Sequence, residues 1–203
     1  MSKKPVIVFE GIEGSGKSYH INEVSRYLKK KKIDHIKIRE PGGSKNSEII
    51  RKLILSNKSS FNKETDLLLY LASRSENITL LTKHYGKKII LIDRFIDSTI
   101  AYQHYGLGVN LKLIKSINEH LLKKFKVNFT FLNIVNKKNM IKRLKLRKSL
   151  NRYDKFNNNF YEKVQKGFVK LAKRKVKKYK IINSNLDISY NKSVILNKID
   201  ELI

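Results

Sequence analysis

Residues 6–18 read VIVFEGIEGSGKS: a short apolar run from Val6 to Phe9, then Gly11 to Ser18, which fit the phosphate-loop pattern G-x-x-x-x-G-K-[ST]. The order decides the fold. A strand delivers the chain into a tight turn whose glycines let successive backbone N–H groups converge on a di- or triphosphate. The helix that follows adds the positive end of its dipole. The residues expected to touch the nucleotide are therefore Gly11, Ile12, Glu13, Gly14, Ser15, Gly16, Lys17 and Ser18. Lys17 is placed to reach the β and γ phosphates, and Ser18 to hold Mg²⁺. Glu13 is the odd member, because a carboxylate inside a phosphate cradle repels the ligand and must face elsewhere.

Outward from this loop, short apolar runs alternate with longer helical patterns, as in a parallel sheet wrapped by helices. Strands are expected at 6–9, 35–39, 88–92, 129–134 and 179–182. Helices are expected at 17–31, 47–55, 63–84, 98–105, 111–124, 137–147, 157–178 and 189–202. The reading is an α/β chain: a three-layer P-loop NTPase fold with a five-stranded parallel sheet, forming one domain over residues 1–203. The charged, Asn-rich bridge at 145–159 is where a mobile flap is expected, and a short lid is placed at about 143–156.

Composition narrows the setting. With 203 residues, 40% of them hydrophobic, the chain can build a single core. The absence of cysteine excludes disulfides and thiolate metal sites. After the basic opening Met1-Ser2-Lys3-Lys4, the apolar run beginning at Pro5 ends at Glu10, too short for a signal peptide, and no stretch approaches bilayer length. A cytoplasmic protein without a membrane partner is expected. The net charge of +28 invites a polyanion, but the lysines are spread over most helices without an interleaved aromatic platform. No specific nucleic-acid partner is therefore expected, only salt-sensitive, non-specific sticking.

Two constellations surround the loop. The run 87–92 ends in Asp93-Arg94, a carboxylate and a fixed cation at the C-terminal end of a strand, where ligands gather in open α/β sheets. Asp93 is read with Ser18 as a Mg²⁺ residue, and Arg94 as a cation beside the phosphates. Arg39-Glu40-Pro41-Gly42-Gly43 follows the second strand and aims the Arg39 guanidinium at the same crevice, suggesting a phosphate site for an acceptor.

FEGIEGSGKS, REPGG, Tyr70-Leu71-Ala72-Ser73-Arg74 and DRFIDSTIAYQ at 93–103 together resemble, in sequence and spacing, the motif series of bacterial thymidylate kinases, which move the γ phosphate of ATP onto dTMP. The resemblance covers nearly the whole chain. It implies that the loop is an ATP site and that Mg²⁺ is the cofactor. It further implies that Arg39 and Arg94 grip the acceptor phosphate, that Tyr70 stacks on thymine and that Arg74 donates to a thymine carbonyl. Ser98 and Gln103 would read the rest of the pyrimidine edge, Tyr102 would crowd the 2′ carbon, and Glu13 would accept from the sugar 3′-hydroxyl. Its spacing in LLLYLAS by itself favours a core position for Tyr70, and only the resemblance assigns it to the base. The family is typically homodimeric.

Gly14 and Ser15 supply no arginine, so cationic charge for the transferring phosphoryl has to come from outside the loop. The run 142–147 with Asn151-Arg152-Tyr153-Asp154 is similar to the arginine-bearing lid of the bacterial enzymes. Arg147 and Arg152 match the lid arginines best, and with Lys17 and Arg94 they make up the expected catalytic set; Arg143 matches less well. Lys148, Asn151 and Asp154 depart from the usual glycine, aspartate and glutamate. Asn197-Lys198-Ile199-Asp200 spells N-K-x-D, yet it sits in the last amphipathic turns rather than behind a core strand. Two rival readings are a deoxynucleoside kinase, which needs a base and no acceptor-phosphate clamp, and a nucleotide-dependent RNA-binding protein.

Overall fold

The computed structural model describes residues 4–123 and 125–203. Met1, Ser2 and Lys3, and Lys124 at the end of the expected 111–124 helix, lie outside them. The chain runs β1 (Val6–Gly11), α1 (Lys17–Lys30), β2 (His35–Arg39), α2 (Lys45–Leu55), α3 (Lys63–His84), β3 (Ile89–Asp93) and α4 (Ile96–Thr99). A π-helical turn (Ile100–Gly106) leads to α5 (Leu111–Leu122), β4 (Phe129–Ile134) and α6 (Lys137–Lys145). A 3₁₀ turn (Arg152–Lys155) precedes α7 (Asn158–Lys173), β5 (Tyr179–Asn183) and α8 (Ile188–Leu202). The expected α/β architecture is present: five parallel strands in the order β2-β3-β1-β4-β5.

The inner strands are apolar on both faces because both faces are covered. Ile7, Phe9, Leu91 and Phe131 pack under α1 and α8 through Ile21, Val24, Leu28, Ile195 and Ile199. Val8, Ile90 and Ile92 face Leu81 of α3 and Phe95 on the opposite side. The chain leaves β1 toward β2 on one side and later toward β4 on the other, so the carboxyl ends around β1 form the crevice where such sheets bind ligands. Register sets its level: Phe9 and Arg39 both pair with Asp93, so Glu10, Arg39 and Asp93 end at one edge.

The abundant asparagines have a local use. Asn62, Asn110, Asn136 and Asn157 each accept a backbone N–H at the start of the helix that follows, a contribution of about 1 kcal/mol apiece.

Three helical expectations change. The 98–105 helix is a short α-turn followed by the π-helical turn, in which the Leu107 N–H reaches the Tyr102 carbonyl at 3.0 Å. The turn is clamped against α7 through glycines: a Cβ on Gly106 would lie 2.6 Å from Phe160, and one on Gly167 would lie 2.5 Å from Tyr105. The 137–147 helix ends at Lys145, and the 157–178 helix ends at Lys173.

Candidate active site

The phosphate loop takes the backbone that its glycines permit. Gly14 and Gly16 have φ of 69° and 82°, and Gly16 caps α1 in the left-handed region. A Cβ on Gly11 would lie 2.4 Å from the Asn133 carbonyl, so only glycine lets β1 leave the sheet here. Lys17 is buried with its Nζ 3.4 Å from the Ile12 carbonyl. Burial, then Arg94, pushes its ammonium down to about 8, against the pull of Asp93 and Glu13. Ser18 Oγ donates to Asp93 Oδ2 at 3.0 Å, while Asp93 Oδ1 is buried without a partner among the described residues. That pair of oxygens suits a hard cation. No group of three or more His, Cys, Asp or Glu that could hold a metal occurs among the described residues, so a magnesium ion here would draw its other ligands from phosphate and water.

Arg94 follows β3 with φ of 68°, a backbone region that non-glycine residues seldom occupy, and this turns its side chain back over the loop. Its guanidinium donates to the Gly11 carbonyl at 2.9 Å, to Glu13 Oε1 at 2.7 Å and to the Tyr102 hydroxyl at 3.3 Å. Glu13 also accepts from the Tyr102 hydroxyl. Burial raises the Glu13 carboxyl, but Arg94 and Lys17 together hold it below the usual range, so it stays ionised and turned away from the phosphate cradle. Beneath this turn lies Glu10, which the sequence reading treated only as the end of an apolar run. It accepts the Phe95 and Ser98 N–H groups at 2.9 and 3.2 Å and the Ser98 hydroxyl, and so anchors the first turn of α4. Burial, with nearby Asp97, lifts its carboxyl to about 7.

Glu13, Lys17, Ser18, Arg39, Tyr70, Arg74, Asp93, Arg94, Ser98, Tyr102, Gln103 and Arg147 all line one cavity. Arg39 is held by Glu48 at 3.0 Å. Beside it stands Arg51, absent from the sequence reading: its Nη1 donates to the Pro41 carbonyl at 2.6 Å, and burial followed by Arg39 lowers it to about 10. Its position in the amphipathic pattern of α2 gave it the look of a solvated cation. Tyr70 lines the cavity edge-on to Tyr153, with ring centroids 5.8 Å apart, and so has both the core contact and the open face.

Two residues are more committed than expected. Arg74 is buried; its Nε and Nη2 both face Glu40 Oε2 at 2.8 Å, Nη2 also donates to Thr99 at 3.1 Å and Nη1 to Asn118, leaving one Nη1 hydrogen. The Ser98 hydroxyl proton is directed to Glu10, leaving only its lone pairs for a ligand. Gln103 is the reverse case. Its Nε2 donates to the Tyr153 hydroxyl at 3.1 Å, while its Oε1 is buried with no partner among the described residues.

The lid arginines separate. Arg147 lines the cavity and pairs with Asp154. Arg152, expected in the catalytic set, does not line the cavity: its Nε donates to the Ile54 carbonyl at 3.1 Å and its Nη2 to Asp66. The 3₁₀ turn points it at α3, where a buried carboxylate holds it more firmly than open solvent could. Arg143 lies nearer the loop than its weaker match suggested, donating to the Gly14 carbonyl at 2.9 Å and the Ser184 carbonyl at 2.7 Å.

One end of this cavity is a phosphate loop and the other an aromatic and amide wall, with cations between them. The chain matches the "Thymidylate kinase" family model over residues 9–195. It is 36% identical to the thymidylate kinase of Mycoplasma capricolum subsp. capricolum, covering 96% of each chain, and 33% identical to that of Kosmotoga olearia, covering 90% of this chain and 88% of that one. It also superposes on the crystal structure of thymidylate kinase from Ehrlichia chaffeensis with a TM-score of 0.78 and 29% identity, covering 97% of this chain and 98% of that one. With the motif series, the strand order and these likenesses all in agreement, the chain belongs to the thymidylate kinase family.

Proposed function

We propose that this chain transfers the γ-phosphoryl group of Mg·ATP to dTMP, giving dTDP and ADP. The observation that carries the reading is Gln103 Oε1, an unpartnered buried acceptor on the wall of the same cavity that holds Lys17. A thymine ring stacked on Tyr70 offers its N3–H to that oxygen and its O4 to the free Nη1 hydrogen of Arg74. Arg39, Arg51 and Arg94 hold the acceptor phosphate, and Glu13 accepts from the 3′-hydroxyl. Tyr102, fixed to Glu13, occupies the space a 2′-hydroxyl would need.

In the transfer, an oxygen of the acceptor phosphate forms a bond to the γ phosphorus as the bond from phosphorus to the β–γ bridging oxygen breaks. Little base strength is needed, since the attacking group is already anionic. The chain's part is positioning and charge: loop N–H groups and Lys17 on the donor phosphates, Arg94 between the two substrates, and Arg147 over the transferring group. Mg²⁺, held by Ser18 and by Asp93, neutralises donor phosphate charge when bound. Three arginines at the acceptor end favour a phosphate over the neutral hydroxyl that a deoxynucleoside kinase uses.

The protein is further read as one cytoplasmic domain over residues 1–203 that pairs as a homodimer. In support, no described helix is long and apolar enough to cross a membrane, and Ile49, Leu53 and Leu68 stand exposed on the adjoining helices α2 and α3. The test is ADP release from ATP with dTMP, dUMP, UMP, CMP, dGMP or thymidine, with and without Mg²⁺. Release is expected to be largest with dTMP and to depend on Mg²⁺. A signal with thymidine alone, or none with any acceptor, sinks the assignment.

A further inference from the structure

Behind the wall of the base pocket runs a chain of hydrogen bonds that has a direction. Arg152 Nη2 donates to Asp66 Oδ1, the Tyr153 hydroxyl donates to Asp66 Oδ2, and Gln103 Nε2 donates to the Tyr153 hydroxyl at 3.1 Å. Asp66, Tyr153 and Gln103 are all buried, with relative exposures of 2%, 2% and 0%. The direction starts at one end. A carboxylate facing a guanidinium can only accept, so the phenol must give its proton to Asp66 and can offer Gln103 only a lone pair. Gln103 must then turn its NH₂ toward Tyr153, which leaves Oε1 as the unpartnered atom, among the described residues, of a side chain that lines the cavity. The polarity presented to the base is thus set two bonds away, on α3.

We propose that Asp66 is a positioning residue that fixes this site to accept a pyrimidine with a protonated N3, by holding Gln103 with its carbonyl oxygen toward the base. The inference rests on the reading of this cavity as the dTMP site. It makes a reversal possible. In Asp66→Asn, Arg152 has only donors and therefore keeps the new amide oxygen on its own side, presenting the amide NH₂ to Tyr153. The Tyr153 oxygen then accepts, its proton turns to Gln103, and Gln103 flips to receive it. The base now meets an NH₂ group, which repels the N3–H of thymine and suits the bare N3 of a cytosine ring.

The test compares kcat and KM for dTMP and 5-methyl-dCMP with Mg·ATP in the wild-type full chain, Asp66→Asn and Tyr153→Phe. In Asp66→Asn the ratio of kcat/KM for 5-methyl-dCMP to that for dTMP should rise by about tenfold or more, chiefly through a higher KM for dTMP. Arg74 keeps its own preference for a carbonyl and holds the ratio short of full inversion. Tyr153→Phe cuts the chain without reversing it, so the ratio should rise by only about threefold. A folded Asp66→Asn enzyme that loses both substrates in parallel, or keeps the wild-type ratio, overturns the proposal and leaves Asp66 a structural partner of Arg152. If Asp66→Asn does not fold, an unchanged ratio in Tyr153→Phe overturns it instead. A wild-type enzyme that fails to use dTMP removes the site reading and this inference together.

Discussion

The cations of this site come from two regions built on opposite principles. Lys17 at the start of α1, Arg94 just after β3 and Arg74 within α3, which packs on the sheet, are buried or nearly so, and are fixed by Ile12, Glu40, Gly11 and Glu13 before any substrate arrives. The lid between α6 and α7 instead carries Arg147, whose side chain is 38% exposed and held by Asp154 on the same segment. Its neighbours Leu146 and Leu150 are 79% and 42% exposed. Sheet-anchored charge is preorganised, with its reorganisation cost met on folding; Arg147 reaches the same cavity from a more exposed segment whose carboxylate partner lies on that segment itself. The difference predicts which substitutions alter chemistry and which alter the fold.

The largest effect belongs to the sheet-anchored side. Lys17→Ala removes a buried cation whose position is set by the loop itself. We expect kcat to fall by about 10³-fold or more, with an unchanged circular dichroism spectrum. A variant within tenfold of wild type would show that the loop backbone suffices and would dissolve the contrast.

The lid provides an internal control, since Arg147 and Arg152 are five residues apart and face different partners. Arg147→Ala should lower kcat by about 10²-fold and lower the denaturation midpoint less than Arg152→Ala does, because buried Asp154 keeps the Asn151 backbone and side-chain N–H groups as donors. Arg152→Ala should leave kcat within about threefold and destabilise the fold by about 3 kcal/mol, because Asp66 is left buried without its cation. Steady-state kinetics paired with urea denaturation separate the two. The opposite pattern would return Arg152 to the reacting groups and make Arg147 structural.

That split also marks how far the sequence could be read. Strand ends, the loop, and the positions of Asp93 and Arg94 follow from periodicity and motif spacing, because local pattern dictates them; Gln103 came only from the likeness to the thymidylate kinase motif series. Arg152 carries no such local mark. Its partner Asp66 lies 86 residues away in the chain, and from sequence the pair reads as two unrelated surface charges. Arg51 was missed for a related reason: α2 is amphipathic, and a cation on its polar side looks solvated until α2 is seen against the REPGG turn. Glu10 sits in an otherwise apolar strand, and a charge there is the one unused signal that could have exposed its anchoring of α4. The π-helical turn had no signature, since its apolar spacing passes for an ordinary helix.

The smallest effect concerns protonation. Burial and Arg94 lower the Lys17 ammonium to about 8 in the free protein, so its charged form is dominant at pH 7 and is lost as pH rises through that value. Only the charged form attracts ATP. We therefore expect kcat/KM for ATP, which reports the free enzyme, to fall above pH 8 with a slope approaching about tenfold per pH unit. Bound phosphates add negative charge beside Lys17 and raise its pKa, so kcat should stay level to higher pH than kcat/KM. The lid cation behaves differently, because a guanidinium does not titrate in this range. In Arg147→Ala the alkaline limb should keep its midpoint apart from a small upward shift, since Arg147 is among the charges that depress Lys17. A midpoint that disappears with Arg147 would place the titrating group in the lid and reverse the assignment of conditional charge to the sheet.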